Sequence, residues 1–308
     1  MNGQPLRIRA VSVNHPTAPL IGATALKPEK SDNISTGVVF SMDGFDATVD
    51  YYRIKIEDRI AMSSNFQSTT LTSMLAAQGY PGVGAVSFLT NAVDTTTKGV
   101  DVTLRYRHDL DEWGTLTGML AANFNDTKFD RIAGTPAPLA AIGINTVLFD
   151  LSQQVRFTDS MPKDKITASL NWQKDALRLN LSGTRYGEVA QVALTNRTPA
   201  QVAALTPGYK VKLVPAAPGS ANSDIIQYFR ADIVVDFEAG YDLTDDFSLS
   251  AGVSNLFDKY PGKQIASTAA SVAAGTNGAD NNGIFPYAYI APYGVNGRSF
   301  HVKATYRF

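Results

Sequence analysis

Along much of this chain apolar and polar residues alternate one by one, the period that puts them on opposite faces of an extended strand. The clearest case closes the sequence, where Phe300, Val302, Ala304, Tyr306 and Phe308 alternate with His301, Lys303, Thr305 and Arg307. Val100, Val102, Leu104 and Tyr106 alternate in the same way with Asp101, Thr103, Arg105 and Arg107. Ile166 to Trp172, Leu177 to Leu181 and Phe229 to Phe237 repeat the pattern. Nine strands are predicted, at about 32–42, 45–58, 97–109, 114–127, 163–174, 176–188, 227–241, 246–257 and 297–308. Leu6 to Val13 is a candidate tenth.

Short polar stretches join these strands in pairs: Asp43-Gly44, Asp109 to Gly114, Lys174-Asp175 and Asp242 to Asp246, all compatible with tight hairpin turns. Between the pairs lie long stretches rich in Gly, Ala, Pro, Ser, Thr and Asn, at about 61–96, 129–162, 189–226 and 258–296. Loops that long are uncommon inside a compact domain and usually carry function. The unit recurs about every 65 to 70 residues. Short turns at one end and long loops at the other describe an outer-membrane protein. The predicted fold is all-β: an antiparallel transmembrane β-barrel, partial, of about nine or ten strands, with short periplasmic turns and long extracellular loops. A soluble β-sandwich also alternates, but it buries its apolar face against a second sheet and has little use for four such loops on one side. Aromatic placement favours the barrel. Trp113, Tyr241, Phe247, Tyr306 and Phe308 fall near the short-turn end and Phe124, Tyr186 and Phe257 near the long-loop end, as interface girdles do.

Composition is consistent with this reading and removes other classes. The 308 residues are 44% hydrophobic and 18% charged, with a mean hydropathy near zero, the average expected of strands that alternate between lipid and lumen. No apolar run approaches the ~20 residues of a membrane-spanning helix. There is no cysteine, so disulfides, thiolate metal sites and thiol nucleophiles drop out. A net charge of −1 with scattered Lys and Arg gives no field for nucleic acid. Met1 to Arg9 lacks the apolar core of a secretory signal, so the expectation is that the natural N-terminus lies further upstream.

Candidate chemistry is sparse. His15, His108 and His301 are far apart and show no metal-binding spacing, and no catalytic constellation is recognisable; the expectation is no enzyme, no catalytic residue, no metal and no cofactor. Glu57-Asp58, Asp111-Glu112 and Asp245-Asp246 fall at strand ends or turns, where solvated charge is the default. Gly275 to Gly283 offers oxygen ligands but not the ordered spacing of a calcium loop. The same loop runs into an aromatic cluster containing Tyr287, Tyr289 and Tyr293, which could stack on a sugar or an aromatic chelator or could anchor the loop at the interface. Arg105, Arg107 and Arg230 fall on the lumen side and could draw in an anion, since a narrow low-dielectric channel focuses the field. The competing expectation is that Asp101, Asp232, Asp236 and Glu238 neutralise them across neighbouring strands.

Three stretches together resemble one family. Gly297 to Phe308, with Phe300, Tyr306 and the terminal Phe308, is similar to the closing strand of TonB-dependent outer-membrane receptors. Asn255-Leu256-Phe257-Asp258-Lys259-Tyr260-Pro261 is similar to that family's penultimate strand and the start of its last long loop. Leu26 to Asn33, followed by Gly37, looks like the family's passage from an outer loop into a descending strand. The resemblance runs from about Leu26 to Phe308. It implies that residues 32–308 are the C-terminal part of a 22-stranded barrel, with residues 1–31 a partial strand and extracellular loop. The plug domain, the TonB-contacting segment and the first dozen or so strands have no counterpart here. The resemblance further implies a Gram-negative outer-membrane location, contact with outer-membrane lipid, a barrel-assembly signal in Phe300, Tyr306 and Phe308, and uptake of a scarce nutrient such as a ferric siderophore, cobalamin or glycan, with TonB engaged only through the plug region. A C-terminal fragment of such a receptor is thus the leading expectation. A self-contained ten-stranded pore and a surface adhesin are the alternatives.

Overall fold

A computed structural model describes residues 8–144, 147–268 and 286–308. The oxygen-rich stretch Gly275 to Gly283 lies outside the described residues. Thirteen strands are described: β1 (Ile8–Val11), β2 (Lys30–Met42), β3 (Phe45–Met62), β4 (Ala85–Asp109), β5 (Thr115–Ile132), β6 (Asp164–Lys174), β7 (Leu177–Tyr186), β8 (Val189–Arg197), β9 (Lys210–Pro215), β10 (Ser223–Phe229), β11 (Asp232–Asp242), β12 (Phe247–Ser254) and β13 (Ser299–Tyr306). Four short helices, α1 (Thr69–Ala77), α2 (Ala137–Ala141), α3 (Leu151–Thr158) and α4 (Pro199–Leu205), lie within the long loops. No helix is long and apolar enough to cross a membrane among the described residues.

All nine predicted strands form one sheet, in the order β13-β12-β11-β7-β6-β5-β4-β3-β2. The turn between β2 and β3 uses Asp43 and Gly44, both at positive φ (36° and 78°), as a two-residue hairpin matched to strand twist requires. Asp175 takes the same conformation, φ 48°, between β6 and β7. The register shows why the alternation is so regular. Leu116 pairs with Trp172, Trp172 with Leu179, Leu179 with Ala239, Ala239 with Ala251 and Ala251 with Val302, an apolar row running across six strands. One residue along, Asn171 pairs with Asn180, Asn180 with Glu238, Glu238 with Gly252 and Gly252 with His301, a polar row on the other face.

What the apolar row touches separates the two fold readings. Among the described residues no buried hydrophobic lies on β2, β5 to β7 or β11 to β13; those on the sheet are Val11 of β1, Ala61 of β3 and Ala85, Val86, Phe88, Ala92 and Val93 of β4, and the rest lie in the stretches between its strands. Phe300 and Val302 are 75% and 73% exposed, so no second sheet covers the apolar face. A sandwich is thereby excluded, and lipid is the medium that this face suits.

Four expectations need correction. Leu6 to Val13 does supply the sheet's tenth strand through its described part, β1, but not as a member of the antiparallel series: it pairs in parallel with Ala85–Phe88 of β4. The predicted strand 227–241 is two strands, because Gln227–Phe229 belong to β10 and the main sheet takes over only at Asp232, after a break at Arg230-Ala231. The stretch 61–96 is not all loop, since β4 begins at Ala85; there both faces are covered, Ala85 to Phe88 are all buried, and the alternation disappears. Tyr186 is no lipid-side girdle residue, for it pairs with Lys165 and Asp232 on the polar face.

Two compact units divide the chain. The first (Met1–Ile34, Tyr52–Lys98, Thr127–Phe157) has its own core around Phe66, Phe88, Leu139 and Phe149. Within it the Arg131 guanidinium grips Asp94 through Nε and Nη2 at 2.7 and 2.9 Å, and this hydrogen bonding, joined by the Asp58 backbone N–H, holds the Asp94 carboxyl below its usual range. The second unit (Ser35–Tyr51, Gly99–Asp126, Thr158–Phe308) holds most of the sheet. It also carries a separate three-stranded antiparallel sheet, β8-β10-β9, inside the loop that follows β7.

Candidate functional site

The second unit gathers the chemistry at its long-loop end. Where the chain leaves β10 and enters β11 it exposes Arg230, whose guanidinium has no ion-pair partner among the described residues, and then places Asp232, whose side chain is only 11% exposed. Lys259 Nζ lies 3.4 Å from Asp232 Oδ1. The Tyr293 hydroxyl donates to Asp232 Oδ2 and to the Tyr260 carbonyl, each at 3.3 Å. Burial, then the Asp232 charge and the hydrogen bond to it, push the Tyr293 phenol up to about 12. Tyr293 therefore stays a neutral donor at any physiological pH.

The Asn255-to-Pro261 stretch builds the other wall. Asn255 sits at φ 55°, its Nδ2 donates to the Lys259 carbonyl at 2.7 Å, and its Oδ1 accepts the Lys259 N–H at 2.8 Å. This closed turn is anchored to the sheet where the Asn255 N–H donates to Asp236 Oδ1 at 2.7 Å. The turn delivers Tyr260, whose ring stacks on Tyr287 with centroids 5.6 Å apart and planes 19° apart. Tyr186 lies 5.7 Å from Tyr293, a partner the sequence pattern had placed on the wrong face. Tyr289 is exposed.

The sequence-nominated cations do not act together. Arg230, Tyr287, Tyr289 and Tyr293 share the long-loop end, whereas Arg105 and Arg107 lie on β4 just before the short turn, at the opposite end of the sheet. The Asn123 amide donates to Asp101 Oδ1 at 2.6 Å, and Asn123 pairs with Lys165 on the polar face; by period, Arg105 and Arg107 share that face. Among the described residues no ion pair joins these arginines to the carboxylates expected to neutralise them. Asp101 is taken by Asn123, Asp232 by Lys259 and Tyr293, Asp236 by the Asn255 N–H and Glu238 by His301. Arg178 pairs with Asp242 instead. Sequence alone cannot assign such pairs, because register and strand neighbours decide them.

The polar face also shows a close approach that needs glycine. His301 Nε2 reaches Glu238 Oε2 at 3.1 Å across the intervening strand, and a Cβ on Gly252 would collide with the imidazole. Beneath lies a shallow cavity of about 260 Å³ lined by Arg178, Asn180, Glu238, Ser250 and Lys303 among others. Phe300 and Tyr306 face outward on β13, and Phe308 follows its end, fully exposed. No group of three or more His, Cys, Asp or Glu residues able to hold a metal occurs among the described residues.

Comparison with known proteins places this geometry. The chain is similar to the ferric enterobactin receptor of Pseudomonas aeruginosa (21% identity, TM-score 0.51, covering 92% of this chain and 32% of that one). It is also similar to the FrpB iron transporter of Neisseria meningitidis (16%, 0.53, 98% and 32%) and the outer-membrane transporter YddB of Escherichia coli (10%, 0.53, 92% and 33%). The chain thus spans about a third of the length of these structures. No curated protein sequence matches it. The profile of the family described as TonB dependent receptor-like, beta-barrel, matches residues 3–256, and with the outward apolar row and the open nine-strand series this makes the chain a member of the TonB-dependent receptor β-barrel family of the outer membrane.

Proposed function

We propose that the chain supplies the C-terminal strands and outer loops of a receptor that captures an anionic, aromatic metal chelate, a ferric siderophore being the leading candidate, for TonB-driven uptake. The observation that carries this is the cluster at the long-loop end: a guanidinium at Arg230 with no ion-pair partner among the described residues, the neutral phenol donor Tyr293, and the stacked pair Tyr260 and Tyr287. A cation beside aromatic faces suits a ligand with negative charge and flat rings. The enterobactin and iron-transport roles of the similar structures agree with that chemistry.

The remaining parts of the reading follow from the sheet. Its ends, β2 and β13, are unpaired among the described residues, and open edges are not tolerated in hydrocarbon. Nine antiparallel strands also leave both edges running the same way. In the working receptor, further strands close the sheet, the TonB contact is made through a plug region, the apolar row meets outer-membrane lipid, and Phe300, Tyr306 and Phe308 serve recognition by the barrel-assembly machinery. The test is binding of a gallium tris-catecholate to the assembled receptor extracted from outer membranes. Arg230→Ala is expected to weaken it about tenfold or more, as loss of a charged contact does. Arg105→Ala should leave it unchanged. Equal effects of the two substitutions would remove the assignment.

A further inference from the structure

The cleft beside Arg230 and Tyr293 is far too small for the ligand it would serve. Its cavity is about 20 Å³, walled by Val189 and Phe229 of the three-stranded sheet on one side and by Gly262, Ala288 and Tyr293 on the other. That is little more than room for one water. The wall that closes it is a ribbon made from the two ends of the last loop. Lys263 and Tyr287 form an antiparallel bridge, the Gln264 N–H donates to the Pro286 carbonyl at 2.8 Å, and the Ala288 N–H to the Gly262 carbonyl at 3.3 Å.

A side chain, not a strand, holds this ribbon to β10. Gln227 Nε2 donates to the Lys263 carbonyl at 2.8 Å and Gln227 Oε1 accepts the Ile265 N–H at 2.9 Å. Ile265 and Ala288 fill the apolar space beneath, against Leu194 and Ile225 and against Val189 and Phe229. Docking has a cost, however. Gln191 lies beside Gln227 in the β8–β10 register and is only 2% exposed, yet neither its Nε2 nor its Oε1 has a partner among the described residues; Gln264, 7% exposed, likewise leaves its Oε1 unpartnered among them. Buried amide groups without partners are rare and oppose the state that buries them.

We propose that this ribbon is a liftable wall, and that the face it covers is a cryptic binding site for an anionic ligand that also carries neutral hydroxyl or carbonyl groups. Lifting it widens the cleft lined by Arg230 and Tyr293 and uncovers the amides of Gln191 and Gln227 on the β8–β10 face beneath. The anionic half of that ligand description rests on the receptor reading above. A ligand that bonds these amides only in the lifted state shifts the population toward it. The apolar packing of Ile265 and Ala288 keeps the wall down when no ligand is present.

Hydrogen exchange on the assembled receptor, extracted from outer membranes, tests the wall without any ligand. The Ile265 and Ala288 amides are expected to exchange faster than those inside β10. Gln191→Leu, which replaces the unpartnered amide by an apolar group of similar size, should slow them about tenfold (about 1.4 kcal/mol), and Gln264→Leu should act the same way. Gln227→Leu should speed them. Unchanged or faster exchange in both Gln191→Leu and Gln264→Leu would overturn the proposal, as would ribbon exchange in step with that of β10. Gallium tris-catecholate then separates the two readings. Faster exchange at Ile265 on binding supports the lifting wall. Binding with no change at Ile265 overturns the wall and keeps the receptor; no binding overturns the chelate reading, while the variants still decide whether the wall lifts.

Discussion

Placing a charge on the apolar row is the sharpest way to ask what medium that row faces. Leu181 lies mid-strand in β7, flanked by Leu170 on β6 and Phe237 on β11. With a rise of ~3.3 Å per residue and a tilt of ~40°, it sits about 10 Å from the Leu177 end and about 13 Å from the Tyr186 end. That is close to the middle of an apolar band ~25 Å tall. Leu181→Arg should therefore cost about 2–4 kcal/mol, the range for a cation at the bilayer midplane. Ser182, the next residue, pairs with Ser169 and Asp236 on the polar face. Ser182→Arg gains a nearby carboxylate and should stay within ~0.5 kcal/mol of wild type. Urea unfolding of the assembled receptor in phospholipid bilayers reads both. Equal losses, or a larger loss for Ser182→Arg, would refute the assignment of faces.

Other outcomes follow from the site and the edges. Tyr293 should titrate near pH 12, above the ordinary value of a tyrosine phenol. Because its folded pKa is raised above the unfolded value near 10, the stability it contributes is fully present below about pH 10 and is lost as pH rises toward 12; ultraviolet titration at high pH, compared with Tyr293→Phe, checks this, and an unchanged titration curve would contradict it. Refolded alone in detergent, the chain should show neither heat-modifiable migration on gels nor protease resistance, since the outer edges of β2 and β13 have no partner strand among the described residues. A stable, protease-resistant monomer would count against open edges.

The spanning part of the fold was legible because lipid and lumen impose period 2 on every strand, and Phe300 to Phe308 state it without interruption. Legibility fades where that constraint ends. At Ala85 to Phe88 all four residues are buried, so the outer extension of β4 carries no alternation. Gln227 to Phe229 continue smoothly in sequence into β11, yet they belong to another sheet, and only the chain's break at Arg230 marks the change. The aromatic cluster and Arg230 could be nominated from residue types alone. Tyr186 could not, because its place depends on which face the register gives it, nor could Gln191 and Gln264, whose amides are singled out only by burial and by lacking full partners among the described residues. The ion pair of Arg178 with Asp242 and the contact of Glu238 with His301 likewise needed the strand order, and the second needed Gly252 between its members.

The central claim is that odd and even positions of the final strand face different media. The chain has no native cysteine, so single cysteines at Phe300, His301, Val302, Lys303, Ala304 and Thr305 in the assembled, membrane-embedded receptor can be labelled in turn with a lipid-soluble and a water-soluble maleimide. The account predicts strict alternation, with 300, 302 and 304 taking the lipid-soluble reagent and 301, 303 and 305 the aqueous one. Uniform aqueous labelling along the strand, or the opposite phase, would contradict it.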